Sequence, residues 1–285
     1  RQKQKRRERS KIIQTNSHNF PYPEKSFTVN QNDWLSGSGA AWLVRVSPAE
    51  MSIVSKLDKA GLRLGELCSI NQGLRTGDNE KYLGEIKKSG KWKPAVGGKH
   101  VGRYEPLVRG VYVYYDPAVL DAPRRQEIFE SNSKIVVQEI RNITLARRII
   151  ATFDDQKFYC LQSTNVMNLR KAAARSYQIK FLLGVLNSNV VNFYFRQRFS
   201  GNNHIASNQL AQIPIPLTDK SRHDRMVELV ERMLALHQQL AAARLEHEKT
   251  ALQRQIAATD RQIDNLVYEL YGLSEEEIKI VEGRE

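Results

Sequence analysis

Short apolar runs separated by polar turns fill the middle of the chain, and long helical stripes fill its end. VRGVYVYY, KIVVQEI, RRIIATF and KFYCLQS, between 108 and 163, are β-branched and aromatic segments bounded by turn formers, and 165–169 is a further candidate. They predict strands of a mostly antiparallel sheet. Upstream, Ser47, Pro48 and Glu50 stand as N-cap, N1 and N3 of a helix. Met51, Val54 and Leu57, with Leu62 as a further candidate, form its apolar face, and Gly61 ends it. Residues 66–70 predict a short strand entering NQGLRTGDNEKY at 71–82. KKSGKWKPAVGGKHVGRY at 87–104 has loop composition. Over 176–198 the period becomes helical, with Ile179, Leu182, Leu183, Leu186, Val190, Phe193 and Tyr194 on one side. FSGNNHIASNQL returns to loop chemistry, and IPIP at 213–216 excludes helix.

From 221 to about 271 two heptad seams follow one another. Met226, Leu229, Met233, Leu236, Leu240 and Ala243 form the first, and Leu252, Ile256, Thr259, Ile263, Leu266 and Leu270 the second. The step from Ala243 to Leu252 breaks phase, which predicts two helices with a turn near 245–250. One unbroken helix of ~50 residues would instead span ~75 Å. Gly272 is placed to follow a helix end, and Ser274 with Glu277 predicts a capping box opening a last short helix. The fold class is therefore α+β: a mostly antiparallel sheet followed by long C-terminal helices, a coiled-coil-like pair. The expected divisions are an N-terminal linker at 1–46, a body at 47–220 and a helical region at 221–285.

A hydrophobic content of 41% supports a core of domain size. No apolar run approaches the roughly 18 residues of a membrane span. The basic N-terminus has no apolar segment behind it and is not a signal peptide. Cys68 and Cys160 read as reduced core thiols, and the expected location is cytoplasmic. The chain opens on Arg1, and RQKQKRRERSK reads as a solvated run or a frayed helix end, so the polypeptide is expected to be the C-terminal part of a longer one. A linker with Pro21 and Pro23 follows, and Trp34 and Trp42 flank SGSGA.

The net charge of +13 is unevenly spread. Residues 1–11 hold seven Lys/Arg against one Glu, and 221–285 hold nine basic against thirteen acidic residues, which leaves +11 on 12–220. A body that basic attracts a polyanion, because phosphate neutralisation releases condensed counterions. Generic solubility charge is the competing explanation.

A search for catalytic signatures finds no complete active site. No GxGxxG follows a strand, and no GxxxxGK[ST] is present; Gly77 is followed by Asp78 rather than lysine. The histidines lack cysteine partners at metal spacing; His223, His237 and His247 read as exposed or interfacial residues of the helical tail. Asp154, Asp155 and Lys157 have the residue types of a nuclease set, but such pairs are ordinary at a strand turn. Neither an Asn-Pro-Pro-Tyr nor an Asp-Pro-Pro-Tyr segment, with which amino-methyltransferases hold a flipped base, occurs.

Three loops share a composition suited to nucleic acid. The first carries Gln72, Arg75, Thr76 and Asn79. The second carries Lys99, His100, Arg103 and Tyr104, with glycines at 97, 98 and 102. The third carries Arg196, Arg198, Asn202, Asn203 and His204 around Gly201. Glycines admit close anion approach, Arg and Lys reach phosphate or guanine, and Asn and Gln can pair with adenine. Ordinary turn chemistry explains any one of these loops; three on one basic body favour a nucleic-acid surface. Tyr112, Tyr114 and Tyr115 are expected to serve sheet packing rather than base stacking.

The order of NQGLRTGDNEKY, WKPAVGGKHVGRYE, SKIVVQEI, FLLGVLNSNVVNFYFRQRFSGN and LAQIPIP resembles the TaqI-like C-terminal specificity domain, the target-recognition domain of adenine-specific DNA methyltransferases and single-chain restriction-modification enzymes. The ending DRQIDNLVYELYGLSEEEIKIVEG resembles the tails of those proteins and the spacer helices of type I restriction specificity subunits. The resemblance implies a curved, mostly antiparallel sheet that approaches the major groove of double-stranded DNA. It also implies an upstream methyltransferase domain using S-adenosylmethionine, with no cofactor in this chain. A homodimer or partner subunit would dock through 221–271. Three rivals stand beside this: a coiled-coil assembly protein, a nuclease with a degenerate site near Asp154, and a free-standing type I specificity half-subunit that dimerises.

Overall fold

The computed structural model describes residues 9–14, 25–30, 46–199 and 201–284, the first two segments as backbone alone. The basic stretch 1–8, Pro21 and Pro23, and the Trp34–Trp42 region lie outside the described residues. Strand β1 (Arg9–Gln14) pairs antiparallel with β2 (Lys25–Asn30), where the sequence suggested a solvated run and a linker. The strand formers Ile12, Ile13, Phe27 and Val29 sit between polar flanks that mask them.

Helix α1 (Pro48–Asp58) begins as predicted. Ser47 Oγ accepts from the Glu50 amide at 3.3 Å, and Glu50 Oε2 accepts from the Ser47 amide at 2.7 Å. Its buried face is Ile53, Val54 and Leu57, so Ile53 takes the inner place assigned to Met51. Short β3 (Leu62–Arg63) and a helical turn, α2 (Leu64–Leu67), precede β4 (Cys68–Gln72), so the strand expected at 66–70 starts two residues later. After the first loop come α3 (Asn79–Tyr82), β5 (Leu83–Gly84), β6 (Trp92–Val96), β7 (Val111–Tyr114), β8 (Lys134–Gln138), β9 (Ala151–Asp154), β10 (Tyr159–Cys160) and β11 (Thr164–Leu169). Strand β6 lies in a stretch whose Lys, Gly and Pro content reads as loop. Strand β10 pairs only with Ala95 and Val96, so at Pro94 the sheet needs a partner on one side alone.

Two four-stranded sheets result. One has the order β4-β11-β8-β9 and is antiparallel throughout. The other has the order β10-β6-β7-β5, with a single parallel pair between β10 and β6. Alternation in β8 explains how they stack. Ile135 and Val137 enter the core shared with the helices, and Val136 enters the core shared with the second sheet. The centre of the first sheet is thus sandwiched, which suits the continuous apolar run Ile135 to Val137 of β8, while β4 is half-exposed. Lys134 and Asp154, both fully buried, face each other on β8 and β9 at 2.6 Å.

The helical layer starts with α4 (Ile179–Asn187) and α5 (Asn189–Arg198), which replace the single helix expected over 176–198. The break is at Ser188, whose backbone is extended and whose hydroxyl accepts from the Val191 amide at 3.3 Å. Asn187 uses both ends of its carboxamide on Ala151, accepting from its N–H at 3.1 Å and donating to its C=O at 2.9 Å. Asn192 accepts from the Ile149 amide at 2.8 Å. Two buried amides therefore finish the edge of the sheet, a demand that helical periodicity does not reveal.

After α6 (Ser207–Leu210) and β12 (Pro214–Ile215), the chain forms α7 (Lys220–Ala242), α8 (Glu246–Tyr271) and α9 (Glu275–Glu282). The phase break is a tight turn at 243–245, a little before the predicted position, so α7 and α8 pack as a hairpin. Gly272, with φ of 62°, and the Ser274–Glu277 capping box appear as read from the sequence. Met226, Val230, Met233, Ile263 and Val267 belong to the same apolar core as α4 and α5. At Gly184 the helices touch: a Cβ there would lie 2.5 Å from Met226 Sδ. His223 is buried, stacked 5.0 Å from Phe181, and its Nε2 accepts from the Gln178 amide at 3.0 Å, so it is a core residue and not an exposed one.

Candidate nucleic-acid interface

The three predicted loops meet around the turn at 161–164. Leu74 N–H donates to Cys160 O and Gly73 N–H to Thr164 O, both at 2.8 Å. A Cβ on Gly73 would stand 2.2 Å from Leu161 O, so only glycine permits this approach. On its other side the first loop pairs with 121–122: Arg75 and Ala122 exchange both backbone bonds at 3.0 Å. The second loop joins through Gly98 N–H to Ser163 Oγ at 2.9 Å. Gln138 Nε2 then donates to Gly98 O and Val101 O, and Arg141 Nη1 donates to Gln138 Oε1 at 2.9 Å. Arg141 N–H in turn bonds Asn203 O at 2.9 Å, and Ile205 N–H bonds Glu139 O at 2.7 Å. The result is one continuous ridge: backbone bonds hold the first and third loops, and the side chains of Ser163 and Gln138 hold the second.

The predicted residues divide by exposure. Arg75, Asn79, Lys99, Asn202, Asn203 and His204 are exposed on the ridge, and Gln72 and His100 are half-exposed there. Arg75 is ion-paired with Asp121. Gln72 Nε2 donates to Gln162 O at 3.1 Å. Burial, then Lys99, holds the His100 imidazole below its ordinary range. Its Nδ1 accepts from the Gly97 amide at 3.0 Å, which leaves Nε2 to carry the proton as a neutral donor. His204 Nδ1 lies 2.8 Å from Glu139 Oε1.

Four others turn inward and leave the exposed ridge. Thr76 is buried and donates to Asn79 Oδ1 at 2.6 Å. Arg103 bonds Asn187 O at 3.0 Å and pairs with Asp260 on α8. Tyr104 is fully buried, with His237 of α7 tilted over it at 6.3 Å. Arg198 lies beside Asp58 of α1 at 4.0 Å. Arg103, Tyr104 and Arg198 are drawn to helices distant in sequence, a pull that no local motif encodes, whereas Thr76 is held by its neighbour Asn79. Arg196 is half-buried, with its Nε enclosed.

The fold also brings up residues that the loop compositions did not mark. Gln162 is exposed at the centre of the ridge, at the tip of what reads as strand KFYCLQS. Arg124, in a left-handed conformation with φ of 59°, donates from Nε to Gln72 O at 3.0 Å. Asn142 and Thr144 lie beside Asn203, whose Oδ1 accepts from the Ile143 amide at 2.8 Å. The Gln-Ser-Thr end of YCLQST and the Pro-Arg-Arg of APRR were the available signal.

Catalytic alternatives find no support. Asp154 accepts from Lys134 Nζ and from the amides of Gln156 and Phe158 at 2.7 and 3.0 Å, so both its oxygens are used in a buried turn. Among the described residues no cluster of His, Cys, Asp or Glu could hold a metal ion. Cys68 and Cys160 are free and buried, and burial pushes both thiols up to about 12. Among the described residues no helix is long and apolar enough to cross a membrane.

Comparison with known proteins agrees with the geometry. No curated protein sequence matches the chain. Among solved structures, the type IIL restriction-modification enzyme MmeI in complex with DNA superposes with a TM-score of 0.55 at 13% identity, covering 78% of this chain and 36% of that one. The HsdS subunit from Thermoanaerobacter tengcongensis covers 83% of this chain and 51% of its own at 15% identity, with a TM-score of 0.41. The chain thus spans about a third of the first protein and about half of the second. Residues 93–215 match the family model of the TaqI-like C-terminal specificity domain, and the centre of this chain is similar to that domain, as the order of its sequence motifs implies.

Proposed function

We propose that this chain is the DNA target-recognition part of a restriction-modification protein and performs no chemistry itself. The observation that carries the reading is the ridge: three loops and the 161–164 turn, joined through main-chain bonds and the side chains of Ser163 and Gln138, on a body of net charge +11 within the chain's total of +13. A rigid ridge presents side chains at fixed spacing, which base readout requires. Lys99 and Arg124 supply phosphate contacts that set the register. The carboxamides of Gln162, Asn202 and Asn203 are of the type that pairs with adenine in the major groove. The similarity of fold to MmeI, a restriction-modification enzyme seen on DNA, supports the same role.

The finer part of the proposal concerns the rest of the protein. An upstream, S-adenosylmethionine-dependent, adenine-specific methyltransferase domain would flip its base in the phase that this ridge sets. The helical hairpin would hold the spacing between the two domains or dock a second subunit.

Fluorescence anisotropy on labelled duplex tests the reading. Wild type is expected to bind duplex of unselected sequence with Kd of about 10⁻⁴ to 10⁻⁶ M at physiological salt, tightening as salt falls. The variant Arg75→Ala/Lys99→Ala/Arg124→Ala should lose about 0.9 of slope per phosphate contact in log K against log salt. Binding and slope equal to wild type would refute the ridge as the DNA surface.

A further inference from the structure

The outer face of the second sheet is not used by the ridge. In β7, Val111 and Val113 point into the core, so Tyr112 and Tyr114 point out. They pair in register with Pro94 and Trp92 of β6. Trp92 belongs to neither apolar core and packs edge-on to Tyr114 at 5.8 Å, with Tyr82 stacked on Tyr114 at 6.1 Å. Cations cover these rings. Lys88 Nζ lies 4.9 Å from Trp92, Lys81 Nζ 5.1 Å from Tyr82, Lys91 Nζ 5.7 Å from Tyr114, and the Arg109 guanidinium 4.3 Å from Tyr112. Lys91 is neutralised by Asp116 at 2.6 Å. Among the described residues, Lys81, Lys88 and Arg109 have no carboxylate within ion-pair distance, although Glu80 and Glu85 are nearby in sequence.

We infer that this lysine-covered aromatic face is a second DNA contact, a track for the phosphate backbone of duplex flanking the sequence on the ridge. The inference rests on the DNA reading above for the identity of the polyanion. Charge selects a polyanion over an apolar protein patch, because Lys81, Lys88 and Arg109 are exposed and, among the described residues, none of them is ion-paired. Ring coverage selects backbone over bases. Trp92 is 7% exposed and the tyrosines are half-buried under cations, so no open ring is left for an unstacked base. The aromatic rings instead pin long, mobile side chains in place, which lowers the entropy cost of a phosphate contact. Continuity places the track beside the ridge. Strand β6 runs straight into Gly97, Gly98 and Lys99, and α3 runs straight from the first loop to Tyr82. From Gly97 back to Trp92 the strand covers about 17 Å, or about five base-pair steps of ~3.4 Å.

The experiment compares two labelled duplexes of unselected sequence, one of about 12 and one of about 30 base pairs, across a salt titration. The variant Lys81→Gln/Lys88→Gln/Arg109→Gln should bind the longer duplex at least tenfold more weakly at low salt, with a log–log salt slope smaller by about 3. Its affinity for the shorter duplex should change far less. The variant Lys81→Arg/Lys88→Arg/Arg109→Lys should behave as wild type, which separates charge from folding, and thermal melts should superpose for all three. Wild-type affinity and slope of the glutamine variant on the longer duplex would overturn the track while leaving the ridge standing. So would a loss confined to single-stranded DNA. A wild-type protein that binds neither duplex overturns the DNA reading itself.

Discussion

At the scale of single residues, two buried carboxylates decide between a structural and a chemical role. Asp154 holds Lys134 and two turn amides in a site closed to solvent. Removing one partner leaves an uncompensated buried charge, so Asp154→Ala should cost about 3–5 kcal/mol, read by urea unfolding. A nuclease reading would instead expect a stable variant that has lost a metal-dependent activity. Asp264, on α8 of the hairpin, faces α5, accepting from the Asn189 amide at 2.8 Å and from its Nδ2 at 2.9 Å. Burial, and then the neighbouring Asp260, raise its carboxyl to about 6 against the opposing Asn189 bond. A raised acid is penalised when charged. Its contribution to stability is full below its unfolded value of about 4 and is lost as pH rises through about 6, by up to about 3 kcal/mol. Asp264→Asn should flatten the pH 4–7 profile of unfolding free energy; an unchanged profile would show that the carboxyl titrates normally.

At the scale of elements, what was legible depended on whether the information was local. The α1 capping box, the α9 capping box and the Gly272 stop rest on residues three or four apart, and all stand where the sequence places them. The strands β7, β8, β9 and β11 were readable from their β-branched content. Strand β6 was not, because its partners β7 and β10 supply the stability that Lys93 and Pro94 do not. The break at Ser188 was hidden for a related reason: Asn187 answers to Ala151 of β9, and Asn192 to Ile149 just before it. The same distance effect moved Arg103 from an expected DNA contact to a strut. Its guanidinium ties the second loop to α8 through Asp260, where Arg147 also reaches at 3.6 Å. Arg103→Ala should therefore destabilise the fold by about 1–3 kcal/mol. It should leave the salt slope of duplex binding unchanged; a slope smaller by about 1 would restore Arg103 as a phosphate contact.

At the scale of the whole molecule, the two roles proposed above fall on different elements, reading on the ridge and spacing on the helical hairpin. The ridge is built on the seam of two sheets, with the central strand β8 of the first sheet buried on both faces. The hairpin shares a continuous apolar core with α4, α5 and the inner face of that sheet. Such a body suits a protein that must fix the distance between a bound sequence and a separate catalytic unit. The overall charge and the loop order were visible in the sequence. The joining of the loops was not, because it depends on Gln138, Ser163 and Glu139, which bond across separations of 24 to 66 residues.

The central claim is that the ridge reads DNA sequence, and selection from a randomised duplex pool tests it most directly. The wild-type chain is predicted to enrich one short motif, bound at least about 10³-fold more tightly than unselected duplex. Gln162→Ala should relax the preference at one position of that motif while leaving the salt slope intact. A pool that emerges without any enriched motif, with binding that follows length and salt alone, would contradict the account.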